Sequence, residues 1–388
     1  MRTAHESARA AADKLRALGP DRLARFRTLV GFDGFVDAII DVVARRRSMQ
    51  ADDYDRIRTI AEFASRCAAA SGKSTNIERL VKERRFGGNG PLMAGALGQL
   101  GASVTFVGAV GKDDASRELL PVFEPFARRC QRVVPVGEPG HTDAMEFDDG
   151  KLMLNQTVQV QSVTWQRLHE RLGDKGLHDI VDHADLLGIV NWSLCGGVDG
   201  IWRGLREEIL PHLTPRNRRL FIDLSDPAKR TDDDVRSALA ELARLNALIP
   251  VTLGLNLAEA ERLARVLDAP AFDESAQRTL ADAVRHAARI LREATGLACV
   301  VVHPRQGAAA ATESTTAWVD GPFTLSPKLS TGAGDHFNAG FALAQGLDLE
   351  LDECLSVGTA VSGAYVRDAV SPTLDRLVQF LSDLPRPE

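Results

Sequence analysis

Cysteine is sparse in this 388-residue chain and placed to crosslink nothing. Cys67, Cys130, Cys195, Cys299 and Cys354 are odd in number and never form a C-x-x-C pair. That excludes a disulfide framework and a thiolate zinc site, and it suits a reducing compartment. Positive charge is not in excess either: 47 Lys and Arg stand against 53 Asp and Glu, a net charge of −6. A binder of nucleic acid or of a membrane surface is disfavoured, so any phosphate has to be met by local groups and not by a global field. No apolar run reaches membrane-spanning length, and Met1 to Ala17 is too polar for a signal peptide. A cytoplasmic location is the expectation. No G-x-G-x-x-G follows the first strand-like run, which argues against a dinucleotide-binding dehydrogenase. Repeats, low-complexity tracts and flexible linkers are missing, so one domain over 1–388 is expected. Aromatic residues, at 5%, neither show nor exclude an aromatic slot for a nucleobase.

What is present is an ordinary globular composition, 44% hydrophobic and 26% charged, with one unusual stretch. Leu329-Ser330-Thr331-Gly332-Ala333-Gly334-Asp335-His336-Phe337-Asn338 runs from an extended lead-in through a small-residue turn into a helical pattern. Gly332, Ala333 and Gly334 let an anion approach backbone N–H groups at a helix start, where the dipole also favours negative charge. Asp335 would repel that anion unless it takes a proton from a group attacking it. A base beside an oxyanion cradle is what phosphoryl transfer to a hydroxyl requires. The alternative is a plain Gly-rich helix start with Asp335 favouring the dipole.

Other polar residues stand where strands end. Thr28 to Gly31 reads as a buried strand, and Asp33 and Asp37 follow it; ligands in α/β sheets bind beyond the strands' carboxyl ends. Two carboxylates there suit a hydroxyl-bearing ligand, with turn or cap aspartates as the alternative. Gly87-Gly88-Asn89-Gly90-Pro91 opens a helix and lets the backbone approach a ligand. Thr142 to Phe147 and Lys151 to Gln156 alternate across Asp148-Asp149-Gly150 as a hairpin. Strand-like runs at 186–190, 219–224, 248–253 and 298–302 then alternate with helical ones, the pattern of a largely parallel sheet. Asn256 and Glu259 fit a helix cap as well as a ligand site. Ser71-Gly72-Lys73-Ser74-Thr75 lacks the earlier glycine of a phosphate loop and reads as a solvated loop.

Taken in order, these segments resemble the ribokinase-like (PfkB) carbohydrate kinases. Ser330 to Phe341 is similar to that family's D-T-x-G-A-G-D-x-F motif, and the glycine segment from Phe86 to Asp113 to its N-terminal motif, with Leu92 where the family has a sugar-bonding Asn. The resemblance implies a three-layer α/β/α fold with a mostly parallel central sheet and a small β lid. Parts of 33–44, 83–90 and 140–158 would form the lid, with a helical insertion at about 45–82. It implies Asp335 as general base with Gly332, Ala333 and Gly334 as anion cradle. Asp33, Asp37, Gly87, Gly88 and Asn89 would bind the acceptor, Asn89 standing in for the missing Asn. Asn256, Glu259, His303, Arg305, Gly307, Thr331 and Asn338 fall on the nucleotide side, with Glu259 holding Mg²⁺ through water. His303 and Arg305 replace the Thr and Gly of the family's T-x-G-x-x-G loop, and Leu329 replaces the Asp of a monovalent-cation site. The implied activity is nucleotide-dependent, Mg²⁺-assisted phosphorylation of a sugar or sugar-like alcohol. ATP is the expected donor; ADP stays open, because Gly31 to Asp37 is closer to the ADP-dependent branch. A nucleoside kinase on the same fold and a silent ligand-binding relative remain rivals, and a homodimer through the lid is the quaternary option.

Overall fold

The computed structural model describes residues 2–272 and 279–388. Helix α1 (Ala4–Ala24) opens at a reciprocal cap between Thr3 and Glu6 and kinks at Gly19, before Pro20. Strand β1 (Arg27–Gly31) enters a nine-stranded sheet, and three residues later β2 (Phe35–Arg46) begins a smaller one. Next come β3 (Tyr54–Arg56), α2 (Ile60–Ala68) and β4 (Arg79–Gly87). The chain returns through α3 (Asn89–Gln99), β5 (Ser103–Gly108), α4 (Glu124–Ala127) and β6 (Arg132–Pro135). It leaves again for the hairpin β7 (Gly140–Phe147) and β8 (Gly150–Gln156). Alternation then settles in: α5 (Trp165–Asp182), β9 (Leu186–Val190), α6 (Val198–Gly204), β10 (Arg219–Asp223), α7 (Asp232–Asn246), β11 (Val251–Leu255) and α8 (Leu257–Val266). Helix α9 (Leu280–Thr295), β12 (Cys299–Val302), β13 (Gly307–Ala311) and β14 (Thr316–Asp320) follow, and α10 (Ala333–Gly346), α11 (Leu351–Asp368) and α12 (Leu374–Ser382) complete the chain.

The central sheet has the order β14-β13-β12-β11-β10-β9-β1-β5-β6. It is parallel from β12 to β6, and β13 and β14 are antiparallel. Strands β9, β11 and β12 are buried throughout, which is why their sequences read as unbroken apolar runs: helices cover both faces. One core packs α5 to α9 against one face; a second packs α1, α3, α10, α11 and α12 against the other. The fold is a three-layer α/β/α sandwich with a five-stranded lid, and among the described residues no helix is long and apolar enough to cross a membrane.

The expected helical insertion at about 45–82 is instead the outer half of the lid. β2 runs on to Arg46, β4 starts at Arg79, and α2 is the one α-helix between them. Ala38, Ile40 and Val42 alternate onto a small core with Ile57, Met145 and Phe147, which Ile60 and Phe63 of α2 cover. Arg79 to Lys82 reads as the end of that charged helical segment, yet it pairs antiparallel with β2. Charged side chains on an exposed strand are a normal protection of a sheet edge. Between β5 and β6 the helical structure is limited to α4 and a preceding 3₁₀ turn, since Pro121 and Pro125 each fit only a first turn.

Candidate active site

Parallel strands aim their carboxyl ends at one rim, and five neighbours each deliver a polar residue there. These are Asp33 past β1, Asn191 past β9, Asp223 ending β10, Asn256 past β11 and His303 past β12. Asp33 is fully enclosed. Its carboxylate accepts from the N–H groups of Asn89 (2.9 Å) and Gly90 (2.7 Å), the open end of α3, and from Asn191 Nδ2 (2.7 Å). Asn89 in turn donates from Nδ2 to Asp335 Oδ1 at 2.8 Å. Asn338 Nδ2 donates to Asp223 Oδ2 at 2.6 Å. Glu259 accepts from the N–H groups of Asn256 (2.8 Å) and Asp226 (2.9 Å), so the helix-cap reading of the Asn256–Glu259 pair holds, and the cap also ties down the loop after β10.

Burial raises all four carboxyl groups, and the charge of Asp223 adds to the rise of the other three. Burial pushes Asp335 well above the usual carboxylate range, and the charges of Asp223 and Asp33 add to the effect. Burial and Asp223 lift Glu259 to about 7; burial lifts Asp33 to about 6 and Asp223 upward. Helix α10 starts beside them at Gly332, whose φ of 88° lies in the left-handed region that favours glycine. Ala333 N–H rests on Ser330 O at a long 3.2 Å.

Two cavities meet at this start. One, of about 270 Å³, is walled by Asn89, Asn191, Asp223, Glu259, Gly334 and Asp335. The other, of about 390 Å³, lies between Arg305, Gly307, Pro322 to Thr324, Phe337 and α11. Asn256, His303 and Gly334 belong to both walls. The His303 ring stacks on Phe337 with centroids 4.5 Å apart, and burial pushes it down to about 4, so it is neutral. Arg305 lies over the Phe323 ring at 5.6 Å.

Among the described residues, no three His, Cys, Asp or Glu side chains stand close enough to cage a metal. Asp223 and Glu259 nevertheless supply hard carboxylate oxygens with no cation at ion-pair distance among the described residues. That donor set fits Mg²⁺ completed by water and phosphate oxygens.

On the lid side, Asp37 is buried on β2, hydrogen-bonded to Thr142 on β7 and paired in register with Arg85 on β4. Gly87 is needed there, because a Cβ would stand 2.3 Å from Asp37 Oδ2. At Gly88 a Cβ would stand 2.9 Å from Asp33 Oδ2. Glu146, on the same hairpin, is taken by Lys151 at 2.9 Å.

Two residues expected on the nucleotide side line neither cavity. Asn338 is fully buried behind Asp223, and Thr331 turns its carbonyl to the Tyr365 hydroxyl at 2.8 Å. Sequence reasoning left out Asn191 as a site residue, and it gave Asp223 no role. The rule that flagged Asp33 would have found both, since each is the polar residue at the end of a buried run.

Residues 4–384 match the family described as prokaryotic ketohexokinase. A ketohexokinase of Haloferax volcanii is 34% identical over 386 residues, 98% of each chain. A carbohydrate kinase from Agrobacterium tumefaciens superposes with a TM-score of 0.61 at 19% identity, over 93% of this chain and 98% of its own. Ribokinase from Thermotoga maritima does so at 0.58 and 15%, over 92% and 99%. A nucleoside kinase from Methanocaldococcus jannaschii gives 0.57 and 13%, over 92% and 98%. At such identities these structures speak for the fold.

Proposed function

This chain belongs to the prokaryotic ketohexokinase family, ribokinase-like kinases that phosphorylate a small sugar-like molecule from a nucleotide, and we propose that its acceptor is a ketohexose and its donor ATP. The observation that carries the reading is the Asp335 carboxyl, buried on the cavity wall beside Gly334, which belongs to both cavities.

The ketohexose lies between β2 and Asp335, with Asp37 accepting from its hydroxyls and Asn89 between them. Asp33 is a positioning residue: it holds the α3 start and Asn191 and so places Asn89. The adenine side occupies the cavity lined by Pro322 to Thr324 and Arg305, and the phosphates reach the start of α10. Asp335 takes the proton of the attacking hydroxyl as that oxygen bonds to the terminal phosphorus. The bond to the bridging oxygen breaks, and ADP leaves with the electron pair. A carboxyl raised toward neutrality is a better-matched base than an exposed aspartate. Glu259 and Asp223 would hold Mg²⁺, which would supply charge neutralisation at the donor phosphates.

A coupled assay across ketohexoses, aldohexoses, pentoses and nucleosides, with ATP and ADP in separate arms, tests the proposal. The expected result is turnover on a ketohexose with ATP. Turnover confined to nucleosides, or to ADP as donor, would replace it.

A further inference from the structure

The residue after Asp335 is a buried histidine that the chemistry above does not use. His336 stacks on Tyr365 of α11, centroids 3.6 Å apart and planes 14° from parallel. His336 Nδ1 lies 2.7 Å from Gly332 O. A carbonyl oxygen only accepts, so Nδ1 carries the proton and Nε2 a lone pair. Nε2 lies 2.8 Å from Ser371 Oγ, whose hydroxyl must therefore donate to it. Ser371 Oγ accepts in turn from Arg129 Nη1 at 3.3 Å. Every bond points the same way, from a permanent cation toward Gly332. Burial pushes His336 down to about 4, which keeps the ring neutral and this direction fixed at neutral pH. Tyr365 O–H donates likewise to Thr331 O at 2.8 Å.

The two carbonyls belong to the amide units whose N–H groups are those of Gly332 and Ala333. A donor on an amide oxygen polarises the N–H of the same unit, and chained hydrogen bonds reinforce one another. We propose that His336 and Tyr365 are positioning residues of phosphoryl transfer, which hold and polarise the Thr331–Gly332 and Gly332–Ala333 amides against the transferring phosphoryl group. The proposal rests on the phosphoryl-transfer reading of this site. It also gives the long Ala333–Ser330 contact a use, as a bond weak enough to exchange for a charged oxygen.

The test pairs kinetics with the imidazole ¹⁵N spectrum of the wild-type protein. At neutral pH the His336 ring is expected as the Nδ1–H tautomer. Tyr365→Phe and His336→Leu are each expected to lower kcat about ten-fold, with both KM values held within about two-fold. His336→Asn, which returns an N–H close to the place of Nδ1, is expected to recover most of the loss. An Nε2–H tautomer, an unchanged kcat in Tyr365→Phe, or His336→Asn as slow as His336→Leu overturns the proposal. Should His336→Leu fail to fold, Tyr365→Phe and the spectrum decide. A wild-type protein with no kinase turnover strikes the phosphoryl-transfer reading itself, and the spectrum still judges the direction of the relay.

Discussion

In the lid, Asp55, Glu78, Asp143 and Asp148 lie against Arg45, Arg46, Arg79 and Arg56 on partly exposed strands. At the rim of the central sheet, Asp33, Asp223, Glu259 and Asp335 are buried, and among the described residues none has a cation at ion-pair distance. The same chemical group therefore has opposite consequences in the two places. Exposed pairs are screened by solvent and contribute little. Unpaired buried carboxyls cost folding energy, and they are retained where a cation, a proton or a hydroxyl is to arrive. Asp37 straddles the two classes, lid by chain and rim by burial.

The comparison breaks most visibly at Asp335. Asp335→Asn is expected to keep thermal stability and nucleotide affinity but lose about 10²–10⁴-fold in kcat, the usual contribution of a general base. A loss of only a few-fold would place the residue with the structural carboxylates. Asp37→Ala comes next: losing charge-assisted hydrogen bonds to the acceptor is expected to raise its KM roughly 10- to 100-fold. Calorimetry with nucleotide serves as control, and a fall in nucleotide affinity at constant acceptor KM would move Asp37 to the donor side.

Glu259 sharpens the contrast through pH. Its folded pKa of about 7 lies above the unfolded 4.5, so the folded state holds the extra proton in between. Stability is then highest below about 4.5 and falls as pH rises through about 7. In the ligand-free protein Glu259→Gln is expected to flatten part of that fall, the remainder belonging to Asp33, Asp223 and Asp335. The same variant is expected to shift the Mg²⁺ midpoint of turnover upward several-fold, a modest loss typical of a water-mediated ligand shell. A pH–stability curve that superimposes on wild type would contradict the raised pKa. The smallest effect is expected in the lid: Glu78→Gln breaks its pair with Arg46 and should leave kcat and melting temperature within error. A lost lid fold, seen as a raised acceptor KM, would show that exposed pairs matter more here than screening allows.

Much of this was legible in the chain because chemistry and local geometry coincide. Gly332 to Asp335 announces a helix start and a carboxyl placed against it within four residues. The alternation of apolar runs and helices fixed the layers. The rim was legible in part, as the polar residue that ends each buried run. The lid's outer half was not, since Arg79 to Lys82 becomes a strand only through pairing with β2. Nor was β13, Gly-Ala-Ala-Ala-Ala: alanine prefers helix, and only packing against its neighbours makes this a strand. The His336–Tyr365 stack joins residues from two helices, so no spacing in the sequence points to it.

The three-residue link between β1 and β2 has a mechanical consequence. β1 is clamped between β9 and β5, so its end is a fixed point, and β2 is a lever arm that leaves it almost at once. Asp33 sits at the fulcrum, and a Cβ on the next residue, Gly34, would lie 2.1 Å from Ala109 O. With so little slack, tilting the lid has to twist residues 32–34 or bend β2 itself. A twist there turns the Asp33 carboxylate and pulls on the start of α3, whose Asn89 donates to Asp335. In the proposed complex, a sugar held by Asp37 would therefore be geared to Asp335 by the backbone, through the carboxylate of Asp33.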